Sequence, residues 1–164
     1  MSKPQGYTAV QIGLHWLIAL LILGQFLFHD GIHDAWRAVV RGTGQAPSTA
    51  AMAHIWAGGV ILILAVIRIA IKIKRGSPAL PADEPAWQKM AAHAAHGLLY
   101  LLMLLIPLTG MAAWFGGVEA ASEGHEFLTG VLIVIFLIHF GGALYHRVIL
   151  KSGVMERMIR PNSD

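Results

Sequence analysis

Residues 127–146 have the sequence FLTGVLIVIFLIHFGGALYH, which contains no Asp, Glu, Lys or Arg over 20 positions. Three further uncharged stretches cover residues 4–29, 42–67 and 90–118. A helix that spans the hydrocarbon core of a bilayer needs about 20 predominantly apolar residues. The sequence therefore predicts four membrane spans.

The overall composition agrees with this prediction. The chain has 164 residues, of which 56% are hydrophobic and 13% are charged, and its mean hydropathy is +0.62. Soluble domains average about 25% charged residues. The absence of cysteine excludes disulfides, thiolate zinc sites, iron–sulfur clusters and a cysteine nucleophile. The 12 Lys and Arg residues lie at the ends of apolar stretches, which is typical of membrane topology and not of nucleic-acid binding.

Each span must be helical, because lipid offers the backbone no hydrogen-bond partner. We expect an all-α fold, an integral membrane four-helix up-and-down bundle formed as a single domain by residues 1–164. The first span lacks the short apolar region and cleavage site of a signal peptide, so we expect it to be retained. The expected spans are residues 10–28, 52–71, 92–114 and 127–149, with a short helix at 34–40, a proline-stiffened loop at 77–85 and a third loop at 115–124.

The basic residues are concentrated on one side of the expected bundle. The N-terminal tail, the second loop and the C-terminal tail carry nine of them, with Arg68 close by, whereas the first loop carries Arg37 and Arg41. The positive-inside rule therefore predicts that both termini are cytoplasmic. The nine residues are Lys3, Lys72, Lys74, Arg75, Lys89, Arg147, Lys151, Arg157 and Arg160.

Four histidines fall at two depths within the expected spans. His54 and His125 lie near the outer ends of the second and fourth spans, whereas His15 and His139 lie at the inner level. His125 and His139 are 14 residues apart, which is about 21 Å of helix, and 14 steps of roughly 100° return to nearly the same face. Ionisable groups inside a membrane indicate a functional site. We expect His54 to pair with His125, and His15 with His139.

Two facing imidazoles at each of two depths satisfy the requirement for bis-histidine ligation of two haems. Arg68 follows His54 by 14 residues, so its guanidinium is expected at the inner level, where it can bind a haem propionate or extend to the lipid headgroups. A lone histidine is more often bonded to a backbone carbonyl, but four matched residues argue against that interpretation. A metal-ion transport site is disfavoured, because the expected spans contain no Asp or Glu.

The remaining histidines leave several roles open. His93 and His96 enter the third span at the inner level, where they can replace a ligand, contact a propionate or line a site for a second molecule. His146 lies further inward than His139, and we interpret it as a proton or quinone contact. His29 and His33 fall in the first loop, where we expect solvated side chains.

Short motifs surround these histidines. The motifs are LHW at 14–16, AHIWAG at 53–58, HAAHGLLY at 93–100, IPLTG at 106–110, GGALYH at 141–146 and GVMERM at 153–158. With these motifs, and with 13 residues between His125 and His139, nearly the whole chain resembles the bacterial cytochrome b561 family, including its membrane-bound superoxide oxidase type.

The resemblance implies two haem b groups ligated by His15, His54, His125 and His139 in a multi-pass protein of the bacterial inner membrane. It also implies electron transfer to ubiquinone near the inner haem, with His146 as a quinone contact. In superoxide oxidase members, superoxide gives its electron to the outer haem and leaves as dioxygen.

Two alternatives to a superoxide:ubiquinone oxidoreductase stay open. Related diheme subunits take electrons from a partner hydrogenase or formate dehydrogenase without catalysing a reaction of their own. The third loop carries Glu119 and Glu123 and no base, which disfavours an anionic donor at the outer face. The other alternative is a haem-free transporter, which would be colourless.

Overall fold

The computed structural model describes residues 4–27, 29–43 and 45–162, and this part of the chain is helical and contains no strand. Four segments are long and apolar enough to cross a membrane. The expected all-helical bundle with four spans is therefore confirmed. Phe28 and Lys3, which the sequence places in the first span and the N-terminal tail, lie outside the described residues.

The helices are α1 (Ala9–Leu27), α2 (Asp30–Val40), α3 (Thr49–Arg75), α4 (Ala86–Gly116) and α5 (Glu119–Tyr145). The last of these, α5, continues as a π-helical turn, His146–Leu150, which is followed by a short 3-10 turn, Glu156–Met158.

The connection between α4 and α5 is much shorter than the sequence predicts. The predicted loop at 115–124 is wrong, because α4 ends at Gly116 and α5 begins at Glu119. Hydrophobicity marks the length of helix in lipid, and not the polar turns that extend the helix beyond it. Gly117 ends α4 in the left-handed conformation with φ 65°, and the carboxylate of Glu119 suits the positive end of the α5 dipole. His125 consequently lies in the second turn of α5.

The short helix expected in the first loop is present as α2 and begins one turn earlier than residue 34. It packs against the start of α3, where Ser48 caps the helix by accepting a hydrogen bond from the Ala51 amide at 3.2 Å. A Cβ at Gly31 would lie 2.7 Å from the Cβ of Ala50, so only glycine allows α2 to approach α3 this closely.

The spanning helices pack in chain order. In the described residues α1 packs against α3, α3 against α4 and α4 against α5. Small buried residues, Ala51, Ala65 and Ala113, allow helices to approach closely in lipid. Most large apolar side chains are exposed, as expected for helices that face hydrocarbon.

The C-terminal segment folds back over one end of the bundle. The amide of Asn162 donates to the carbonyl of Tyr7 at 2.9 Å, Trp16 Nε1 donates to the carbonyl of Met158 at 2.8 Å, and Arg157 Nη1 donates to the carbonyl of Ala79 at 2.7 Å. We call this the terminal end, formed by residues 4–8, 76–85 and 151–162, and the opposite end the α2 end.

The side chain of Tyr7, at the terminal end, is half-buried. Burial raises the pKa of its hydroxyl above the ordinary value, although a hydrogen bond with Ser77 acts in the opposite direction. The hydroxyl therefore remains protonated at neutral pH and can bond to its neighbours.

The substitution Gly6→Ala is expected to loosen the C-terminal segment. A Cβ at Gly6 would lie 2.5 Å from the Cβ of Asn162, and such overpacking costs about 1–3 kcal/mol. Trypsin should therefore cleave after Arg157 faster in the detergent-solubilised variant. The control is Gly13→Ala, because a Cβ at Gly13 has nothing within 4 Å. Equal cleavage of the two variants would contradict the close packing of Gly6 on Asn162.

Candidate functional site

Two histidine pairs lie inside the bundle, one near each end. The ring centroids of His54 on α3 and His125 on α5 are 6.2 Å apart, and those of His15 on α1 and His139 on α5 are 6.3 Å apart. All four residues are half-buried. We call them the α2-end pair and the terminal-end pair. The structure thus brings together the residues of both expected pairs.

The separation within each pair matches that of two ligands on one metal. A metal–imidazole bond is about 2 Å long, and the ring centroid lies about 1.1 Å behind the bonding nitrogen, so two rings on opposite sides of a metal have centroids about 6.2 Å apart. The ring planes meet at 67° in the α2-end pair and at 69° in the terminal-end pair. No group of three or more His, Cys, Asp or Glu in the described residues is arranged to hold a metal ion.

The imidazole of His125 is oriented by α4. Its Nδ1 lies 2.8 Å from the carbonyl oxygen of Ile106, to which it donates, and Nε2 is then free of hydrogen and available to a metal. Gly110, on the same helix, makes room for the ring, because a Cβ there would lie 3.0 Å from both Cε1 and Nδ1 of His125.

His54 has a different environment. Its Nδ1 is buried and has no hydrogen-bond partner among the described residues. A buried polar atom without a partner destabilises a fold by about 1–3 kcal/mol and is often explained by a functional group at the site. Gln25 of α1 fixes the backbone here, since its Nε2 donates to the His54 carbonyl at 2.9 Å.

The terminal-end pair is surrounded by positive charge. Arg68 Nη1 donates to the carbonyl of Gln11 at 2.8 Å, and its Nη2 lies 3.3 Å from Nδ1 of His15. A guanidinium can only donate, so Nδ1 of His15 accepts in this arrangement. Lys72 Nζ lies 4.4 Å from the ring centroid of Tyr100, which Arg68 also approaches at 5.9 Å. Arg68 therefore turns into the bundle and not towards the headgroups.

The other singled-out histidines are placed as follows. His93 and His96 are both exposed, but the ring centroid of His96 lies 5.0 Å from that of His139, and His96 Nδ1 donates to the Ala92 carbonyl oxygen at 2.6 Å. His146 lies at the terminal end, with Nδ1 2.9 Å from Ser152 Oγ. His29 and His33 are exposed at the α2 end, with ring centroids 5.5 Å apart.

Sequence reasoning missed four residues that shape the site. Lys72 follows Arg68 by four residues, and this helical spacing is a signal that could have placed it beside the pair. Gly110 belongs to the IPLTG motif, but the motif does not indicate which side chain packs against this glycine. The hydrogen bond of Gln25 to His54, and the position of Glu84 Oε1 at 3.4 Å from His146 Nδ1, depend on contacts between distant segments, for which the sequence carries no local signal.

Comparisons with known proteins place the chain in a family. The family model described as prokaryotic cytochrome b561 matches residues 6–161. Cytochrome b562 of Cereibacter sphaeroides is 36% identical over 164 residues, which cover 98% of this chain and 99% of the relative. The probable superoxide oxidase CybB of Yersinia pestis is 26% identical, covering 93% of this chain and 95% of the relative. Cytochrome b561 homolog 1 of Escherichia coli is 25% identical, covering 93% and 96%.

The family implies a b-type haem, and the donor set of this chain fits it. Imidazole pairs are the axial ligands that a six-coordinate haem iron accepts, and the nearby guanidinium and ammonium suit carboxylates such as propionates. The four apolar spans account for the membrane location. From the whole-length match and these features together, the chain belongs to the prokaryotic cytochrome b561 family of bacterial membrane haem proteins that transfer electrons.

Proposed function

We propose that this chain binds two haem b groups, one in each histidine pair, and carries electrons from the α2 end to ubiquinone at the terminal end. The observation that supports this most strongly is the separation of the rings, 6.2 Å and 6.3 Å, at two levels 14 residues apart on α5. Haem supplies one-electron redox chemistry when bound, and the protein sets its position and potential.

Neighbouring groups would set the tautomer and the basicity of the ligand imidazoles. The hydrogen bond from His125 Nδ1 to the Ile106 carbonyl fixes the tautomer and raises the basicity of Nε2. A metal at Nε2 of His15 would leave the ring proton on Nδ1, so this atom would no longer accept from Arg68. The guanidinium would then turn to another acceptor, and a propionate is the acceptor we propose for Arg68 and Lys72.

The charges support an orientation of the chain in the membrane. Basic residues are concentrated at the terminal end, so we propose that this end and both termini face the cytoplasm of a bacterial cell. His146 follows His139 by seven residues, or about 10 Å along the helix, on roughly the same face. It is therefore our proposed hydrogen-bond partner for the quinone ring.

Superoxide is the donor we propose for the α2-end haem. It gives one electron and leaves as dioxygen, so the reaction needs no proton at this end. The name of the relative from Yersinia pestis, a probable superoxide oxidase, supports this donor at 26% identity. Cations that can attract the anion are Arg37 and Arg41, together with His29 and His33 when protonated.

A second candidate is an electron-transfer subunit that docks a dehydrogenase or hydrogenase. The observation in its favour is the compensation of charge at the α2 end, where Arg37 pairs with Asp34 at 3.5 Å and His29 lies 3.4 Å from Asp30. Glu119, Glu123 and Glu126 begin the adjacent α5. A mixed surface of this kind suits a protein partner better than a small anion.

Removing one ligand should remove one haem. For His54→Ala or His125→Ala we expect the haem content to fall from two groups per chain to one, with the terminal-end haem retained, because the ligand sets are separate. His15→Ala or His139→Ala should give the reciprocal spectrum. The haem-to-protein ratio and the reduced-minus-oxidised spectrum measure this. His33→Ala is the exposed control and should retain both haems. Loss of both haems, or of neither, from each single variant would refute the pairing.

The substitution Gly110→Ala should disturb the α2-end haem alone. Its Cβ would press on the His125 ring at 3.0 Å, so we expect reduced occupancy or a shifted midpoint potential for this haem in a potentiometric titration. The matched control is Gly97→Ala on the same helix, where a Cβ would meet nothing within 4 Å. An unchanged titration for Gly110→Ala would show that the ring of His125 does not need this space.

Superoxide should reduce the haems of the purified protein in a stopped-flow experiment without any added protein. We expect a rate that approaches the diffusional ceiling of about 10⁸–10⁹ M⁻¹s⁻¹ and that superoxide dismutase abolishes. Reduction that occurs only after addition of a redox partner would contradict superoxide as donor and support the second candidate.

A further inference from the structure

A buried carboxyl group lies at the terminal end, where it is not part of either histidine pair. The side chain of Glu84 is 4% exposed, although it belongs to the connection between α3 and α4. Neither of its oxygens accepts a hydrogen bond from the described residues. One turn further along, Gln88 Oε1 is also buried without a partner. Polar atoms in this state are rarely retained without a role.

His146 is the titratable side chain in contact with this carboxyl. Its Nδ1 lies 3.4 Å from Glu84 Oε1 and 2.9 Å from Ser152 Oγ. The histidine side chain is 17% exposed, so both groups are largely withdrawn from water. Glu84 and His146 therefore form one contact at the terminal end, in which Glu84 is the more deeply buried group.

The nearby charged groups bind other acceptors. On α4, Lys89 Nζ donates to the Ala82 carbonyl at 3.0 Å, and on the C-terminal segment Arg157 donates to the Ala79 carbonyl at 2.7 Å. Arg147, one residue after His146, pairs with Glu156 at 2.9 Å on the exposed side. An ionised carboxylate is costly to bury without a charged partner. His146 is thus the basic side chain within 4 Å of this carboxyl among the ion pairs of the described residues.

The local backbone is built to hold His146 in this position. α5 changes to a π-helical turn at His146, and such turns occur frequently at functional sites. Lys151 then adopts the left-handed conformation with φ 50°, which returns the chain so that the amide of Ser152 donates to the carbonyl of His146 at 3.2 Å. The same turn places Ser152 Oγ against the imidazole.

We infer that Glu84 is a proton-relay residue that supplies protons through His146 to the quinone. This inference rests on the proposed function. Reduction of one quinone to a quinol takes two electrons, which arrive singly through the haems, and two protons. For each proton an N–H bond of His146 breaks as an O–H bond of the quinol forms. The imidazole then takes the proton of the Glu84 carboxyl, and water at the terminal end reprotonates the carboxylate.

The experiment uses the full-length haem-loaded protein and decylubiquinol, which drives the reaction in reverse and reduces the haems. In Glu84→Gln we expect haem reduction to be about a hundredfold slower, because proton transfer by a positioned side chain contributes about 10²–10⁴-fold. The quinol concentration for half-maximal rate should be unchanged, since Glu84 does not contact the ring. Asp83→Asn and Glu156→Gln are the matched controls, because both acids are exposed, and should react at the wild-type rate.

Two readouts separate a relay from a structural role. Formate, a small proton carrier, should restore the rate of Glu84→Gln, which it would not do if the variant were misfolded. In wild-type protein, the reduced-minus-oxidised infrared spectrum should contain a carboxyl band that shifts when glutamate is labelled with ¹³C. The second readout requires no variant and does not depend on turnover.

The failures of the two proposals are distinguishable. Wild-type haem reduction by decylubiquinol, together with an equal rate in Glu84→Gln, would overturn the relay and leave the proposed function in place. Absence of haem reduction by decylubiquinol in the wild type would overturn both. Absence of a glutamate band from the infrared spectrum would overturn the relay independently of any substitution.

Discussion

The pairing of imidazoles from α5 with imidazoles from α1 and α3 is the constraint on which the rest of the structure depends. Lipid cannot hydrogen-bond to a ring nitrogen, so a histidine inside a membrane bundle needs a partner within the protein or in a bound group. His125 uses the Ile106 carbonyl for one nitrogen, and His15 uses Arg68. His125 then presents a bare Nε2 for binding, whereas His15 would have to release Arg68 and move its ring proton to Nδ1, and in each pair the separation of the rings suits a single metal.

The helices divide this task between them. α5 contributes one residue to each pair, so the rigid spacing of a single helix sets the distance between the two levels. α4 contributes to neither pair but controls their surroundings through the Ile106 carbonyl, Gly110 and the ring of Tyr100. A helix without ligands is therefore as important to the geometry as those that carry them.

Sequence reasoning recovers those features that depend on helical periodicity and hydrophobic length. The four spans and the two levels of the histidine pairs follow from spacings that a helix imposes, whereas the turn of Arg68 into the bundle is known only from the structure. The start of α5 does not, because Glu119 extends the helix in water, where hydrophobicity gives no signal. Glu84 is not predicted for a different reason: an acid in a proline-rich connection is expected to be solvated, and its burial depends on tertiary contacts such as that with the distant His146.

The two ends of the bundle differ in the chemistry that each can support. An electron can reach the α2 end without a proton, and the charged groups described there are exposed and compensated by neighbours. Quinone reduction consumes protons as well as electrons, and the terminal end combines a buried carboxyl, a histidine in contact with it and a closed cover of chain. The C-terminal segment partly covers His146 through Ser152, and the His146 side chain remains 17% exposed. On our proposal, this cover limits the access of bulk water to the site, and protons reach the quinone through Glu84 and His146.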